Sequence, residues 1–213
     1  MELFISKILV YVELAYYIGG LVIAICAVYA TKQISLMKQS IIIQSKRESL
    51  SLASEKCLAY FNESIPLVNE LYKLLDANNI EFFADWQVLV EDGKLSVINE
   101  ASRNYSEIKD IKFNPYLNSV ESVAVFFNSG VADDHVGYNT LSYTLLNTLT
   151  KLMPIIYYYN KRGGYYSNII ELYIRWQIKA NHETFIQENE QLQVKIRMKA
   201  PELKEAVGTK IRS

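Results

Sequence analysis

Residues Glu13 to Ile34 read ELAYYIGGLVIAICAVYATKQI, and this stretch decides the architecture. No charged residue occurs from Leu14 to Ala30, and Lys7 and Glu13 are the only charges between Leu3 and Thr31. A helix needs about 20 predominantly apolar residues to cross a hydrocarbon core roughly 30 Å thick. Tyr11, Tyr16 and Tyr17 stand at one end and Tyr29 at the other, where interfacial aromatics belong. From Tyr11 to Tyr29 an α-helix rises roughly 27 Å at about 1.5 Å per residue. The expectation is a single transmembrane helix within residues 1–31.

Flanking charge orients it. Glu2, Lys7 and Glu13 precede the span, whereas Lys32, Lys38, Lys46 and Arg47 follow it before any acid. Basic residues collect on the cytoplasmic side, which predicts an external N-terminus and a cytosolic remainder. A cleaved signal peptide fits less well. Val28-Tyr29-Ala30 is a poor cleavage site, and the basic flank opposes export.

Spacing within the span suggests how copies would pack. Gly20, Ala24, Ala27 and Thr31 recur at intervals of four, three and four, so they share one helix face. The rhythm continues through Ile34, Lys38 and Ile41, and Ala15 and Gly19 form a second small pair on a neighbouring face. In lipid, small residues on one stripe let backbones approach closely, where hydrophobicity supplies no drive. Self-association through Gly20, Ala24, Ala27, Thr31 and Ile34 is therefore expected. The competing reading is that Gly and Ala are ordinary constituents of membrane helices.

The remaining composition points to a packed helical domain. Hydrophobic residues make up 50% and charged residues 21%, which disfavours disorder. Lys+Arg number 22 against 23 Asp+Glu, so no global field recruits nucleic acid or acidic lipid. Gly and Pro are scarce and apolar periodicities are long, so the fold class expected is all-α. The two cysteines, Cys26 and Cys57, supply no disulfide framework and suit a reducing cytosol.

Along the chain, residues 32–63 lack Gly and Pro and are expected to continue the span as a stalk helix. Ser64-Ile65-Pro66 reads as a kink or a fresh helix start. Residues 64–200 are expected to form a cytosolic helical bundle and 201–213 a flexible tail. Within the bundle, Leu67, Leu71 and Leu74 continue a helical face. Phe82, Trp86 and Leu89 suggest a short helix closed by Asp92-Gly93, and Leu95, Ile98, Ala101, Tyr105 and Ile108 suggest another. Asn114-Pro115, or Asn118 with Glu121 as a capping box, opens the next helix, which Gly130 stops. Asp133 or Asp134 caps a long helix through Leu141, Leu145, Leu152 and Ile156, with a kink near Pro154 and a stop at Gly163-Gly164. Ile169, Leu172, Tyr173 and Trp176 mark the buried side of a final helix. Phe185 to Lys199 extends it, although Leu192, Val194, Ile196 and Met198 alternate like a strand.

The order of these features resembles a broad group of bacterial single-pass proteins catalogued as a domain of unknown function. The residues that carry the resemblance are Lys32-Gln33-Ile34, Lys46-Arg47 and the run LNSVESVAVFFNSGVADD from Leu117 to Asp134. It continues through Pro154, Lys161-Arg162 and Tyr165-Tyr166 to Trp176. The resemblance implies one membrane helix and a helical cytosolic domain at the inner membrane, and no chemistry. The layout is also similar to that of membrane effectors of anti-phage defence systems.

Candidate chemistry is sparse. Asp133, Asp134 and His135 form one local run without partner ligands elsewhere, so a helix cap with an exposed His is the simpler reading than a metal site. His182-Glu183 lacks a surrounding H-E-x-x-H, and Cys57 lacks a neighbouring base. No catalytic residue, metal or cofactor is expected, and the chain does not read as an enzyme. In YYYNKRGGYY, Tyr158, Lys161, Arg162 and Tyr165 could stack bases and hold phosphates of a nucleotide or oligonucleotide. The same residues also suit a helix corner with cations at a helix C-terminus. Glu13 would form a ring of carboxylates at the outer mouth of a symmetric pore, or sit at the lipid headgroups.

Two functional expectations follow. The first is a non-enzymatic, homo-oligomeric membrane effector used in anti-phage defence: an ion channel or membrane-perturbing protein gated by its cytosolic domain in response to a protein or oligonucleotide. The second is a membrane anchor whose helical domain docks a cytosolic protein.

Overall fold

The computed structural model describes residues 2–78, 87–91, 93–98 and 111–199. The fold is all-α with one small β-hairpin. Two compact units divide the chain, Met1–Leu52 and Ala53–Ser213.

Helix α1 spans Glu2–Ala59. Between Ile8 and Leu52 it contains no buried residue. Its apolar side chains lie on every side, from Leu9 and Tyr11 to Val28 and Tyr29. A helix that is apolar all round has to be buried in something other than water. Among the described residues, one helix is long and apolar enough to cross a membrane, and it is this one.

In the second unit the buried stripe runs Ala53, Cys57, Tyr60, Ser64, Val68, Leu71 and Leu75. Its steps alternate between four and three residues, except for two consecutive fours around Ser64. The reason is a π turn at Tyr60–Ser64, closed by the Ile65 amide donating to the Tyr60 carbonyl. Helix α2, Ile65–Ala77, follows with Pro66 in its first turn. Proline lacks an amide hydrogen, and its ring clashes with the carbonyl four residues back in a regular helix. The wider turn makes room for that ring. It also rotates the face read from Leu67, Leu71 and Leu74: Leu71 is buried, but Leu74 is exposed and Val68 and Leu75 take the inner positions.

Strands β1 (Gln87–Glu91) and β2 (Lys94–Ile98) form an antiparallel hairpin with Val88 opposite Val97 and Val90 opposite Leu95. This corrects the helical readings through Leu89 and from Leu95 to Ile98. Gly93 between the strands has φ +73°, a conformation glycine adopts without strain. Phe82, Trp86 and the continuation through Ala101, Tyr105 and Ile108 lie outside the described residues, as does the tail 201–213.

Helices α3 (Asn114–Asn128), α4 (Asp134–Gly163) and α5 (Ser167–Lys199) complete the bundle. The core between them comprises Leu117, Val120, Ala124 and Phe127 from α3, Leu141, Leu145, Leu149 and Leu152 from α4, and Ile169, Leu172, Tyr173 and Trp176 from α5. The stops are glycines in the left-handed region, Gly130 at φ +71° and Gly164 at φ +70°. Pro154 lies inside α4 and is buried. The segment read ambiguously at its end, Phe185 to Lys199, is helical throughout.

Candidate functional site

The small-residue face of α1 carries Gly20, Ala24, Ala27, Thr31 and Ile34, and all five are exposed. Thr31 folds its hydroxyl back, donating to the Val28 carbonyl at 2.8 Å, so the face stays small and its polar atom is satisfied within the helix. A Cβ built on Gly20 meets nothing within 4 Å. The face continues as exposed Ile34 and Ile41, beyond the apolar run. Glu13 is exposed near the other end of the segment, beside the edge-to-face pair Tyr16–Tyr17.

A second cluster sits where α3, α4 and α5 meet. Asp133 is the cap of α4, accepting the Val136 amide at 2.9 Å. Asp134, one residue on, points elsewhere. One of its carboxylate oxygens accepts from Trp176 Nε1 at 2.9 Å and from the Arg175 guanidinium at 2.8 Å. Arg175 also donates to Asn128 Oδ1 at 3.1 Å, and Asn128 donates to the Asn168 carbonyl at 2.9 Å. Glu121 does not box its own helix: α3 starts after Phe113, with Pro115 in its first turn and no side-chain cap. Its carboxylate instead accepts the amides of Asn168 and Ile169 at 3.2 and 2.9 Å, capping α5 from outside.

Trp176 anchors this knot. It packs edge-to-face on Tyr138 at 5.8 Å and tilted against Phe127 at 5.6 Å. The Tyr138 hydroxyl donates to Glu183 at 2.7 Å. Burial, reinforced by that hydrogen bond and the Glu183 charge, pushes its pKa up to about 12, so it stays protonated. The cluster is a structural lock, within which the Arg175 Nε is buried with no hydrogen-bond partner.

The tyrosine-rich corner is arranged around its own cations. The Arg162 guanidinium stacks over Tyr158 at 4.1 Å and the Lys161 ammonium over Tyr157 at 4.7 Å. Tyr165 lies over Gly163, where an added Cβ would meet its ring at 2.5 Å. Tyr166 holds a left-handed backbone at φ +62°, tied by its hydroxyl to Asn114 and Asn118 at 3.2 and 3.3 Å. Of the four candidates, Tyr158 and Arg162 are brought together, and the Tyr157 and Tyr158 ring faces are already covered by the chain's own cations, while Tyr165 packs against Tyr166.

His135 is exposed on the first turn of α4 beside Asn139 at 3.1 Å. Among the described residues, no group of three metal-ligating side chains converges. Cys57 is buried, and burial raises its thiol pKa. The Tyr60 and Tyr116 hydroxyls are buried with no hydrogen-bond partner, and burial holds Tyr116 well above the ordinary phenol range. Sequence reading missed the Asp134–Trp176 and Glu121–α5 links, which join residues more than 40 positions apart with no local pattern to announce them.

No curated protein and no solved structure matches the chain. One family model does, and its match begins inside the apolar segment of α1 and ends on Trp176. The chain belongs to the family described as Domain of unknown function (DUF4760), matched over residues 16–176.

Proposed function

We propose that the chain is a single-pass protein of a bacterial inner membrane that self-associates through the small-residue face of α1 and acts on the membrane as a non-enzymatic effector. The N-terminus lies outside and the unit Ala53–Ser213 in the cytosol, on the strength of the basic residues Lys32, Lys38, Lys46 and Arg47. The observation that carries the reading is the exposed face from Gly20 through Ile34 to Ile41. Small residues suit helix pairing in lipid, while Ile34 and Ile41 continue the seam where lipid would no longer shield them. One partner, the same face of another copy, satisfies both parts.

The layout is similar to that of anti-phage membrane effectors, which supports a cytosolic unit that responds to a protein or oligonucleotide signal. Tyr158, Lys161, Arg162 and Tyr165 are the candidate contacts for such a signal. In a symmetric assembly, Glu13 would ring the outer mouth and favour cations.

Gly20→Leu tests this reading. A side chain there meets nothing within its own chain, so the fold is expected to survive. The full-length chain in detergent should assemble, and the variant should fall to a smaller assembly and lose any conductance in bilayers. A wild-type monomer, or a variant that assembles like the wild type, contradicts the reading. The second reading, an anchor whose helical unit docks a cytosolic protein, predicts that Gly20→Leu leaves activity unchanged.

A further inference from the structure

Helix α5 packs on the bundle through Ile169, Leu172, Tyr173 and Trp176, and then leaves it. From Asn181 to Ile196 every residue is exposed. A helical segment of that length without packing is marginal in water. It nevertheless carries large apolar side chains in the open: Phe185 is 63% exposed, Leu192 56% and Ile196 54%.

These side chains are ordered. Ile178, His182, Phe185, Asn189, Leu192 and Ile196 follow one another at steps of four, three, four, three and four. That is a period of 3.5, the seam of a two-helix coil rather than the 3.6 of a face packed on a globular core. Such a seam fits another helix of the same period, and the same segment of a second copy supplies one.

Charge selects the direction. Glu183 and Glu188 occupy the first half of the segment and Glu190 sits near its middle, while Lys195 lies in the second half, followed in the sequence by Arg197 and Lys199. Parallel copies would set the acidic halves side by side. Antiparallel copies set each acidic half on a basic one. In the register that places Phe185 against the second copy's Ile196, Leu192 meets the second copy's Asn189, and Glu188 flanks the second copy's Lys195. By symmetry each contact occurs twice.

We infer that the exposed end of α5 is a self-association surface, an antiparallel seam between two copies of this chain, centred on Phe185, Asn189, Leu192 and Ile196. It is independent of α1: it uses no residue of the membrane helix and stands whether or not the spans associate. Asn189 is its weakest layer, an amide set against leucine.

The test uses the full-length chain in its membrane, with Cys26→Ala and Cys57→Ala so that only introduced thiols react. Two differently tagged forms, one with Glu188→Cys and one with Lys195→Cys, are produced together and mildly oxidised. The expected result is a mixed-tag disulfide dimer, with neither variant linking when produced alone. Glu188→Lys should weaken the pairing about tenfold, since two attractions become repulsions, and adding Lys195→Glu should restore it. Absence of the mixed dimer overturns the inference. So does Phe185→Cys linking to itself, which marks a parallel pair, or a charge reversal that fails to rescue.

Discussion

Trp176→Ala is expected to lower the stability of the C-terminal unit by about 3–5 kcal/mol, the range for removing a fully buried aromatic side chain. Trp176 is 1% exposed, and its ring fills the space between Phe127 and Tyr138. Its indole N–H is also one of two donors held by Asp134. The truncation therefore opens a cavity and strips a partner from a part-buried carboxylate at once. For a unit of this size the loss corresponds to a fall in melting temperature of about 10 °C. Trp176→Phe keeps most of the ring and loses only the donor, so about 1–2 kcal/mol should go. Thermal unfolding of the three proteins in the same detergent measures both steps. Equal losses for Ala and Phe would mean that the hydrogen bond, not the packing, holds the knot.

Gly137→Leu should be nearly as damaging, for the opposite reason. Gly137 lies in the first turns of α4, where a Cβ would come within 2.3 Å of Phe127 Cε1 and 2.6 Å of its Cζ. Phe127 is itself buried and backed by Trp176, so its ring has nowhere to retreat. Overpacking of this kind costs about 1–3 kcal/mol for small additions and more for large ones. Gly137→Ala would recover up to about 1 kcal/mol in helix propensity, so it should be milder than leucine. The mechanism implies a rescue. Phe127→Ala combined with Gly137→Leu should be much less destabilised than the sum of the single changes, because the pair shares one space. Additive losses would place the cost of leucine somewhere other than the Phe127 ring.

These two positions show what a sequence can and cannot disclose. Trp176 was legible, because its spacing from Ile169, Leu172 and Tyr173 is a helix face that has to be buried. Gly137 was not, since a close approach between α3 and α4 leaves no mark on either segment alone. The acidic pair divided the same way. A capping aspartate before α4 was expected, and Asp133 serves. Asp134 answers to Trp176, 42 positions away. Glu121 looked like a local box partner and caps α5 instead.

The hairpin was a different kind of miss. Leu95 and Ile98 are three apart and fit a helix, but Leu95 and Val97 alternate after Asp92-Gly93, which is the stronger short-range signal for a two-strand turn. Length misled the reading: a helical chain with few glycines sets a prior that a twelve-residue hairpin does not shift. The register error at Leu74 came from the π turn, where Pro66 forces one extra residue that a 3.6 period cannot foresee. By contrast the long apolar helix was legible almost entirely, because being long and apolar enough to cross a membrane depends on composition over a span and not on any tertiary contact.

The face of α1 that meets another copy is the central claim, and single thiols in the span test it directly. With Cys26→Ala in place, Ala24→Cys lies on the small-residue face between Gly20 and Ala27, and Val22→Cys lies on the opposite side of the same helix. Oxidation of the full-length chain in native membranes should link Ala24→Cys chains into dimers and leave Val22→Cys chains as monomers. Linking of Val22→Cys in preference to Ala24→Cys, or of neither, would contradict assembly through the face from Gly20 to Thr31.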